Sequence, residues 1–250
     1  MSLKVSIITT TYNDAANLRK TIEQVKLQDY PNIEYIVIDG ASTDDTGEVL
    51  AQAKQYFGER MLLLSEPDQG IYNALNKGIT MATGDIIGCC FDTYAQPYAI
   101  SKMVQVIEQE GTDGVHADLY YMDGDKIVRR WHQGQGHLRL GWLPGHPTLY
   151  LRREVYQHYG LYREDYEIAA DYEFMVRILK DKQLKLSYIP EVLIYMSYGG
   201  TSNNSIHAYM RSLLEGHRAL KENGVKGAWF TDCCRTIRVL LQFIGMESSK

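Results

Sequence analysis

The first hundred residues alternate between two apolar periods, and this alternation limits the fold more than any other feature of the chain. Short β-branched runs at 5–9 and 33–38 are each followed by apolar residues at helical spacing. Two further runs, 61–64 and 85–91, enclose the helical stretch 74–82. This rhythm predicts an α/β fold in which helices cover both faces of a mainly parallel sheet.

The pattern changes after residue 112. Residues 115–121 and 127–131 flank a short polar turn, which is typical of an antiparallel hairpin. The next segment, 132–146, holds four glycines and predicts a mobile loop. The remaining predicted elements here are two helices and a strand broken at a proline: 153–159, 171–179, and 184–196 with Pro190.

The chain from residue 206 onward is predicted to form a C-terminal helical extension of a domain that spans 1–205. One apolar stripe runs along it, with Arg235 and Arg238 beside the stripe. The stripe residues are Phe230, Cys233, Cys234, Ile237, Leu241 and Ile244. Such a helix packs on its own domain, on a second copy in a homodimer, or peripherally on a membrane surface.

Charge and cysteine usage exclude several classes of function. The net charge of -5 over 250 residues gives no footprint for nucleic-acid binding. The four cysteines form two adjacent pairs without zinc-ligand spacing, which indicates a reducing compartment. No signal pattern opens the chain and no run reaches about 20 apolar residues. We therefore expect a cytoplasmic protein that could contact the inner face of the membrane only peripherally.

Polar clusters follow each of the four predicted parallel strands, at 9–13, 39–46, 65–70 and 91–93. Helix capping and turns explain any one cluster, but four at one sheet edge indicate a ligand site. Carboxylates there can hold a metal or accept hydrogen bonds from a base or ribose. Asp171, at the start of a helical stripe, is a further candidate, although the helix dipole alone would favour it there.

Three segments resemble family 2 glycosyltransferases: VSIITTTYN at 5–13, YIVIDGASTD at 35–44 and EPDQGIYNALNKG at 66–78. The resemblance covers roughly residues 4 to 205. It is closest to bacterial enzymes that build surface or extracellular polysaccharides, including colanic-acid-type transferases. It implies a GT-A fold, in which a Rossmann-like nucleotide-sugar-binding half, 1–112, is joined to a mixed acceptor half, 113–205.

The resemblance also implies roles for individual residues. The side chains expected at the nucleotide sugar are Thr9, Tyr12, Asn13, Asp39, Ser42, Asp68, Gly70, Asn73, Lys77 and His146. Asp92 matches the aspartate that holds Mn²⁺ or Mg²⁺, although the usual two-carboxylate motif is reduced here to one carboxylate after Cys90 and Phe91. Asp171 matches the catalytic base, and residues 199–202 resemble a loop near the diphosphate.

The expected function is inverting transfer of a sugar from a nucleotide-diphosphate donor, UDP by resemblance, to a saccharide or lipid-linked acceptor in polysaccharide biosynthesis. Two alternatives stay open. A degenerate, non-catalytic nucleotide-sugar-binding protein would explain the reduced motif at Asp92. A sugar nucleotidyltransferase would share the sheet, but it usually opens with a glycine-rich phosphate loop, and 9–13 has no glycine.

Overall fold

A central mixed sheet organises the chain, and the computed structural model describes residues 2–198 and 206–242. The strands in this part are β1 (Val5–Thr11), β2 (Ile33–Asp39), β3 (Met61–Ser65), β4 (Ile86–Cys89), β5 (Thr93–Tyr94), β6 (Gly114–Asp123), β7 (Lys126–Trp131), β8 (Tyr150–Arg152) and β9 (Leu186–Ser197). The helices are α1 (Ala15–Lys26), α2 (Thr46–Phe57), α3 (Ile71–Met81), α4 (Ala99–Glu110), α5 (Arg153–Tyr159), α6 (Ala170–Leu179), α7 (Ile206–Glu222) and α8 (Ala228–Leu241).

The sheet has the order β3-β2-β1-β4-β8-β6-β9-β5, and β7 pairs with β6. The first four strands are parallel, as the sequence predicts. Beyond β4, strand β8 runs antiparallel to both of its neighbours, so the second half of the sheet is mixed. The carboxyl ends of β1, β2, β3 and β4 therefore share one edge, which is where open α/β sheets bind ligands.

Both faces of the sheet are buried, and this explains the continuous apolar runs of the first half. Ile7 packs with helices α1, α2 and α4 on one face, whereas its neighbour Ile8 packs with α3 and α6 on the other. Successive side chains of a strand point to opposite faces, so each strand serves two cores. The predicted cover of helices on both faces is confirmed.

The elements from residue 113 to residue 198 follow the prediction with two refinements. The hairpin is confirmed as β6 and β7. Strand β9 continues past Pro190, but its pairing with β6 slips there, since Ile189 lies opposite Ala117 and Val192 opposite Asp118. Segment 132–146 is mostly irregular, yet the Trp142 side chain is buried and its Nε1 donates a hydrogen bond to the Gln133 carbonyl at 2.9 Å. This loop is therefore anchored rather than open along its length.

The C-terminal helices pack on the domain, but the predicted apolar stripe does not. Ala219 and Leu220 of α7 are fully buried in the core beside α6. Helix α8 instead leaves Phe230 58% and Ile237 57% exposed. Of the three alternatives for the stripe, packing on its own domain does not apply to these residues, because the opposite side of α8 faces the 138–141 turn. Contact with a partner or a membrane surface stays the prediction. Ile244 lies outside the described residues.

Within 2–198 and 206–242, no helix combines the length and the apolar character that crossing a bilayer requires.

Candidate active site

The loops after β1 and β2 are joined by hydrogen bonds between two predicted site residues. Asn13 donates its backbone N–H to Ser42 Oγ at 2.7 Å, and Asn13 Oδ1 accepts the Thr43 N–H at 2.8 Å. Asn13 has a φ of 49°, in the left-handed region that asparagine tolerates better than most residues. Asn13 and Ser42 therefore shape the edge of the sheet through contacts within the protein.

Asp39 also acts within the protein. Its carboxylate is 3% exposed and accepts hydrogen bonds from Ser42 Oγ at 2.5 Å and Ser65 Oγ at 2.6 Å. These bonds tie the turn after β2 to the end of β3. Asp39 thus positions the predicted base and ribose pocket, while its own oxygens are held by hydroxyl groups.

Thr9 is a correction to the sequence-based site. It is 3% exposed, its hydroxyl donates to the Cys90 carbonyl at 2.7 Å, and it accepts a bond from Tyr35 at 3.2 Å. Alternation along β1 turns this side chain into the core rather than toward the cleft. Thr9 therefore stabilises the sheet and does not line a pocket.

Tyr12 and Asp68 meet at the sheet edge because Gly40 has no side chain. A Cβ atom at Gly40 would lie 2.7 Å from Asp68 Oδ2 and 3.1 Å from the Tyr12 ring. Tyr12 is 65% exposed, so one ring face is open to solvent. An exposed aromatic ring beside a carboxylate can stack on a base and accept a hydrogen bond from a base or ribose.

The loop between β3 and α3 is shaped by Asp68 and Gly70. Asp68 Oδ1 accepts the Gly70 N–H at 2.9 Å, and Gly70 has a φ of 112°. Only glycine adopts that backbone region without strain. Gly70 is therefore needed for the turn that fixes Asp68.

Lys77, which is predicted to bind the nucleotide sugar, holds the loop between β3 and α3 in place. Its Nζ lies 2.8 Å from Glu66 Oε1 and donates to the Pro67 carbonyl at 2.9 Å. Asn73 similarly accepts the Gln69 N–H at 3.3 Å. The structure gives both residues a supporting role in the loop.

Asp92 stands at the end of the fourth strand as predicted. It is half-buried, and its Oδ1 accepts the Ser197 N–H at 3.2 Å. Burial raises the pKa of Asp92 to about 6, although the hydrogen bond from Ser197 opposes the shift. In the part of the chain that the structure describes, no three His, Cys, Asp or Glu side chains gather as a metal-ligand set. One carboxylate still suits Mg²⁺ or Mn²⁺ when water and substrate phosphates complete the shell.

Asp171 lies in the first turn of α6, where its Oδ1 is 3.0 Å from the Tyr72 hydroxyl. Three carboxylates that could compete with it, Asp165, Glu167 and Glu173, are each paired with an arginine. Asp165 pairs with Arg163 and Arg218, which hold its pKa at about 2 despite partial desolvation. A carboxylate of such low pKa is a poor base, so the pairing favours Asp171.

Two other acidic competitors, Glu173 and Glu167, are also held by arginines. Glu173 is 1% exposed and forms an ion pair with Arg177 at 2.8 Å. Glu167 is exposed and pairs with Arg211 at the surface.

His146 belongs with Asp171 rather than with the base pocket. Its Nε2 lies 2.7 Å from the Tyr162 hydroxyl. Burial lowers the pKa of His146, whereas the nearby Asp171 carboxylate acts to raise it. The lowered pKa favours the neutral imidazole.

Sequence reasoning missed two groups at this site, Tyr121 and Arg129. The Arg129 guanidinium lies 4.5 Å from the Tyr121 ring centroid. Burial raises the pKa of Tyr121, and the charges of Arg129, Asp92 and Asp171 all influence it. No spacing pattern marks either residue, because their significance arises from strand pairing in the second half of the sheet.

The C-terminal extension also reaches the cleft. Arg235 of α8 stacks 4.5 Å from the ring centroid of Tyr172, the residue after Asp171. Gln242, just beyond α8, accepts a hydrogen bond from Arg129 Nε at 2.7 Å. Arg235 therefore faces the domain and is not at the outer surface beside the apolar stripe.

Solved glycosyltransferases share this architecture, which defines the GT-A fold. The S. aureus TarS 1-349 structure in complex with UDP-GlcNAc has a TM-score of 0.71 and 15% identity, covering 94% of this chain and 72% of that one. The mannosyltransferase PcManGT from Pyrobaculum calidifontis, in complex with GDP-Man and Mn²⁺, has a TM-score of 0.65 and 16% identity, covering 96% of this chain and 75% of that one.

The family follows from the sequence. Residues 6–180 match the profile of Glycosyl transferase family 2, and the chain belongs to that family. A PGL/p-HBAD biosynthesis glycosyltransferase of Mycobacterium tuberculosis is 29% identical over 211 residues, which is 80% of each chain. An uncharacterized glycosyltransferase of the same species is 31% identical over 184 residues, 69% of this chain and 68% of that protein.

Proposed function

We propose that this glycosyltransferase inverts the anomeric centre as it moves a sugar from a UDP-sugar to a saccharide or lipid-linked acceptor. The observation that carries the proposal is the position of Asp171, at the cleft end of α6, beside Tyr72 and His146. Residues 1–112 form the donor half and residues 113–205 the acceptor half. The product is assigned to bacterial polysaccharide biosynthesis, by resemblance to enzymes of that pathway.

The reaction is a single displacement. The acceptor oxygen attacks the anomeric carbon while its proton passes to the Asp171 carboxylate. The bond from that carbon to the diphosphate oxygen breaks, and its electron pair leaves with the diphosphate. The attack comes from the face opposite the leaving group, so no protein nucleophile is needed and the configuration inverts.

Asp92 would hold Mn²⁺ or Mg²⁺ together with the donor diphosphate. When bound, such an ion supplies Lewis-acid stabilisation of the leaving group. Asp92 offers this ion one carboxylate, oriented by the Ser197 N–H. At the opposite end of the donor, Tyr12 would stack on the base and Asp68 would accept from the base or ribose.

Replacement of Asp171 tests the base assignment. Asp171→Asn keeps the shape but removes the basic oxygen, so kcat should fall by about 10²- to 10⁴-fold while donor affinity stays near wild type. Glu167→Gln is the matched control, because it removes an exposed carboxylate of the preceding loop. Transfer at the wild-type rate by Asp171→Asn would refute the role, and a product with retained configuration would refute single displacement.

The same assays distinguish the proposed function from its two alternatives, a non-catalytic binding protein and a sugar nucleotidyltransferase. A degenerate binding protein would bind UDP-sugar but neither transfer nor hydrolyse it with Mn²⁺. A nucleotidyltransferase would form sugar nucleotide from nucleoside triphosphate and sugar phosphate. A thermal-shift screen against UDP-, GDP- and dTDP-sugars identifies the donor, since a ligand of the native state raises the melting temperature.

The outward face of α8 supports a lipid-linked acceptor. From Trp229 to Leu241 six large apolar side chains are exposed, and the one exposed cation of this range, Arg238, donates to the Leu140 carbonyl at 2.8 Å. A stable dimer buries on the order of 1,600 Å² with 20–30 residues a side, which one helix face of this length does not supply. We therefore favour peripheral contact with a lipid surface, in which such a face is buried at the headgroup boundary.

The proposed setting is the cytoplasm, at the inner face of the membrane. The four free thiols suit a reducing compartment.

A further inference from the structure

We propose that Arg129 binds the diphosphate of the donor and stabilises it as it leaves, and that Gln242 positions the guanidinium for this task. The inference rests on the proposed function, because it places a sugar nucleotide between Asp92 and Asp171. It assigns a second source of positive charge to a site whose metal motif has one carboxylate.

Strand pairing places Arg129 on the same stretch of sheet as Asp92. Arg129 lies opposite Tyr121 in the β6-β7 hairpin, and Tyr121 lies opposite Met196 of β9. The next residue, Ser197, donates its N–H to Asp92. The four positions follow one another across neighbouring strands, each about 4.8 Å from the next strand. Three strand spacings place the backbones of Arg129 and Asp92 about 14 Å apart. The Arg129 guanidinium lies 4.5 Å from the ring centroid of Tyr121, whose strand is nearer to Asp92.

The surroundings hold the guanidinium in one orientation. It is half-buried, with its centre 4.5 Å from the Tyr121 ring centroid and 5.5 Å from that of Trp131. Arg129 Nε and Nη2 both donate to Gln242 Oε1. The Gln242 amide oxygen, which is uncharged, fixes the plane of the guanidinium. Preorganised cations of this kind stabilise charge that develops in a transition state.

The Tyr121 hydroxyl is influenced by three charged side chains. Burial raises its pKa most, the Arg129 charge lowers it, and the carboxylates of Asp92 and Asp171 raise it further. All three charges thus act on one phenol. In an in-line displacement the leaving group departs on the side of the sugar away from the base. The diphosphate therefore moves away from Asp171 and lies on the side of Asp92. Without a cation there, Asp92 would repel it, and arginine suits phosphate oxygens because its fork can donate two parallel hydrogen bonds.

The competing explanation is that Arg129 has only a structural role, in which it connects the β6-β7 hairpin to the end of α8. Isothermal titration with UDP and with uridine, both in Mn²⁺, separates the two. Arg129→Leu should weaken UDP binding by about ten- to a hundredfold, the range for hydrogen bonds to charged groups, and leave uridine unchanged. Arg130→Leu is the matched control, since Arg130 is the exposed next residue of β7 and lies beside Tyr120 instead.

Two milder variants keep the test decisive if Arg129→Leu folds poorly. Arg129→Lys keeps the charge but loses the fork, and Gln242→Ala frees the guanidinium, so both should weaken UDP binding less than Arg129→Leu and spare uridine. If the variants weaken the binding of UDP and uridine equally, Arg129 has only the structural role. Wild-type affinity for UDP in both Arg129→Lys and Gln242→Ala would also overturn the inference. Failure of the wild-type chain to bind UDP or GDP with Mn²⁺ would overturn the proposed function, and the role of Arg129 with it.

Discussion

Gly40 offers a test of the nucleoside pocket that changes only the available space. Its φ is not among the positive values of this chain, so alanine fits the backbone. The added Cβ of Gly40→Ala would lie 2.7 Å from Asp68 Oδ2, whereas ordinary contact begins at 3.4 Å, so Asp68 must withdraw by 0.7 Å (3.4 − 2.7).

That movement acts on the hydrogen bond that orients Asp68. The bond from the Gly70 N–H to Asp68 Oδ1 is 2.9 Å, and a 0.7 Å withdrawal along it would give 3.6 Å (2.9 + 0.7), beyond hydrogen-bonding range. Hydrogen bonds to charged groups contribute about 1.5–3 kcal/mol, and solvent access at this half-buried site reduces the loss to about 1–2 kcal/mol. Affinity for uridine and UDP should both fall about 5- to 30-fold.

The control is Gly47→Ala, seven residues further on. A Cβ at Gly47 meets nothing within 4 Å, and the position lies in the first turn of α2. Alanine is the better helix former by up to about 1 kcal/mol, so this variant should bind normally and melt at or above the wild-type temperature. Titration calorimetry with uridine and UDP, together with thermal melts, measures both variants. Wild-type affinity in Gly40→Ala would refute the pocket formed by Tyr12 and Asp68.

Three further outcomes are expected. Asp92→Asn should abolish the Mn²⁺ dependence of UDP-sugar binding with an unchanged melting temperature; persistent Mn²⁺ dependence in calorimetry would remove Asp92 from the site. Burial alone would raise the pKa of Glu34, but hydrogen bonds from Lys4 and its neighbours hold it at about 2. The resulting stability, about 3 kcal/mol, is present above pH 4.5 and lost as pH falls toward 2, so acid denaturation of Glu34→Gln should lack this loss. Phe230→Ser combined with Ile237→Ser should abolish flotation with anionic liposomes while activity on a soluble acceptor persists; unchanged flotation counts against the lipid surface.

The sheet was predictable because burial on both faces leaves an unmistakable apolar pattern. Val5 to Ile8 are buried without interruption, and the polar clusters stand where the strands end at the cleft. The buried polar residues at the other end of the strands, Ser6 and Glu34, are hydrogen-bonded to each other. The mixed half was less predictable. Short strands such as β5 and β8 gain their partners from distant segments, and two or three residues carry no readable period.

The site residues show a different limit of sequence reasoning. Asn13 and Lys77 are predicted at the nucleotide sugar from motif resemblance, and in the structure both also hold loops in place. A motif marks residues that the site needs, and it does not distinguish a side chain that touches the ligand from one that fixes a neighbour. Arg129 could not be predicted from the sequence because its partner Gln242 is 113 positions away in the chain.

The reduced motif at Asp92 and the position of Arg129 lead to one consequence for how the site fills. An ion with a single protein carboxylate would take most of its remaining ligands from water and the diphosphate, so metal and donor should each bind better in the presence of the other. Such coupling is reciprocal, because the same free energy links the two binding events in either order. Arg129, in contrast, is part of the chain and would act on the diphosphate before any ion arrives. Donor binding measured in EDTA should therefore retain the contribution of Arg129 and lose that of Asp92, which separates the two sources of charge.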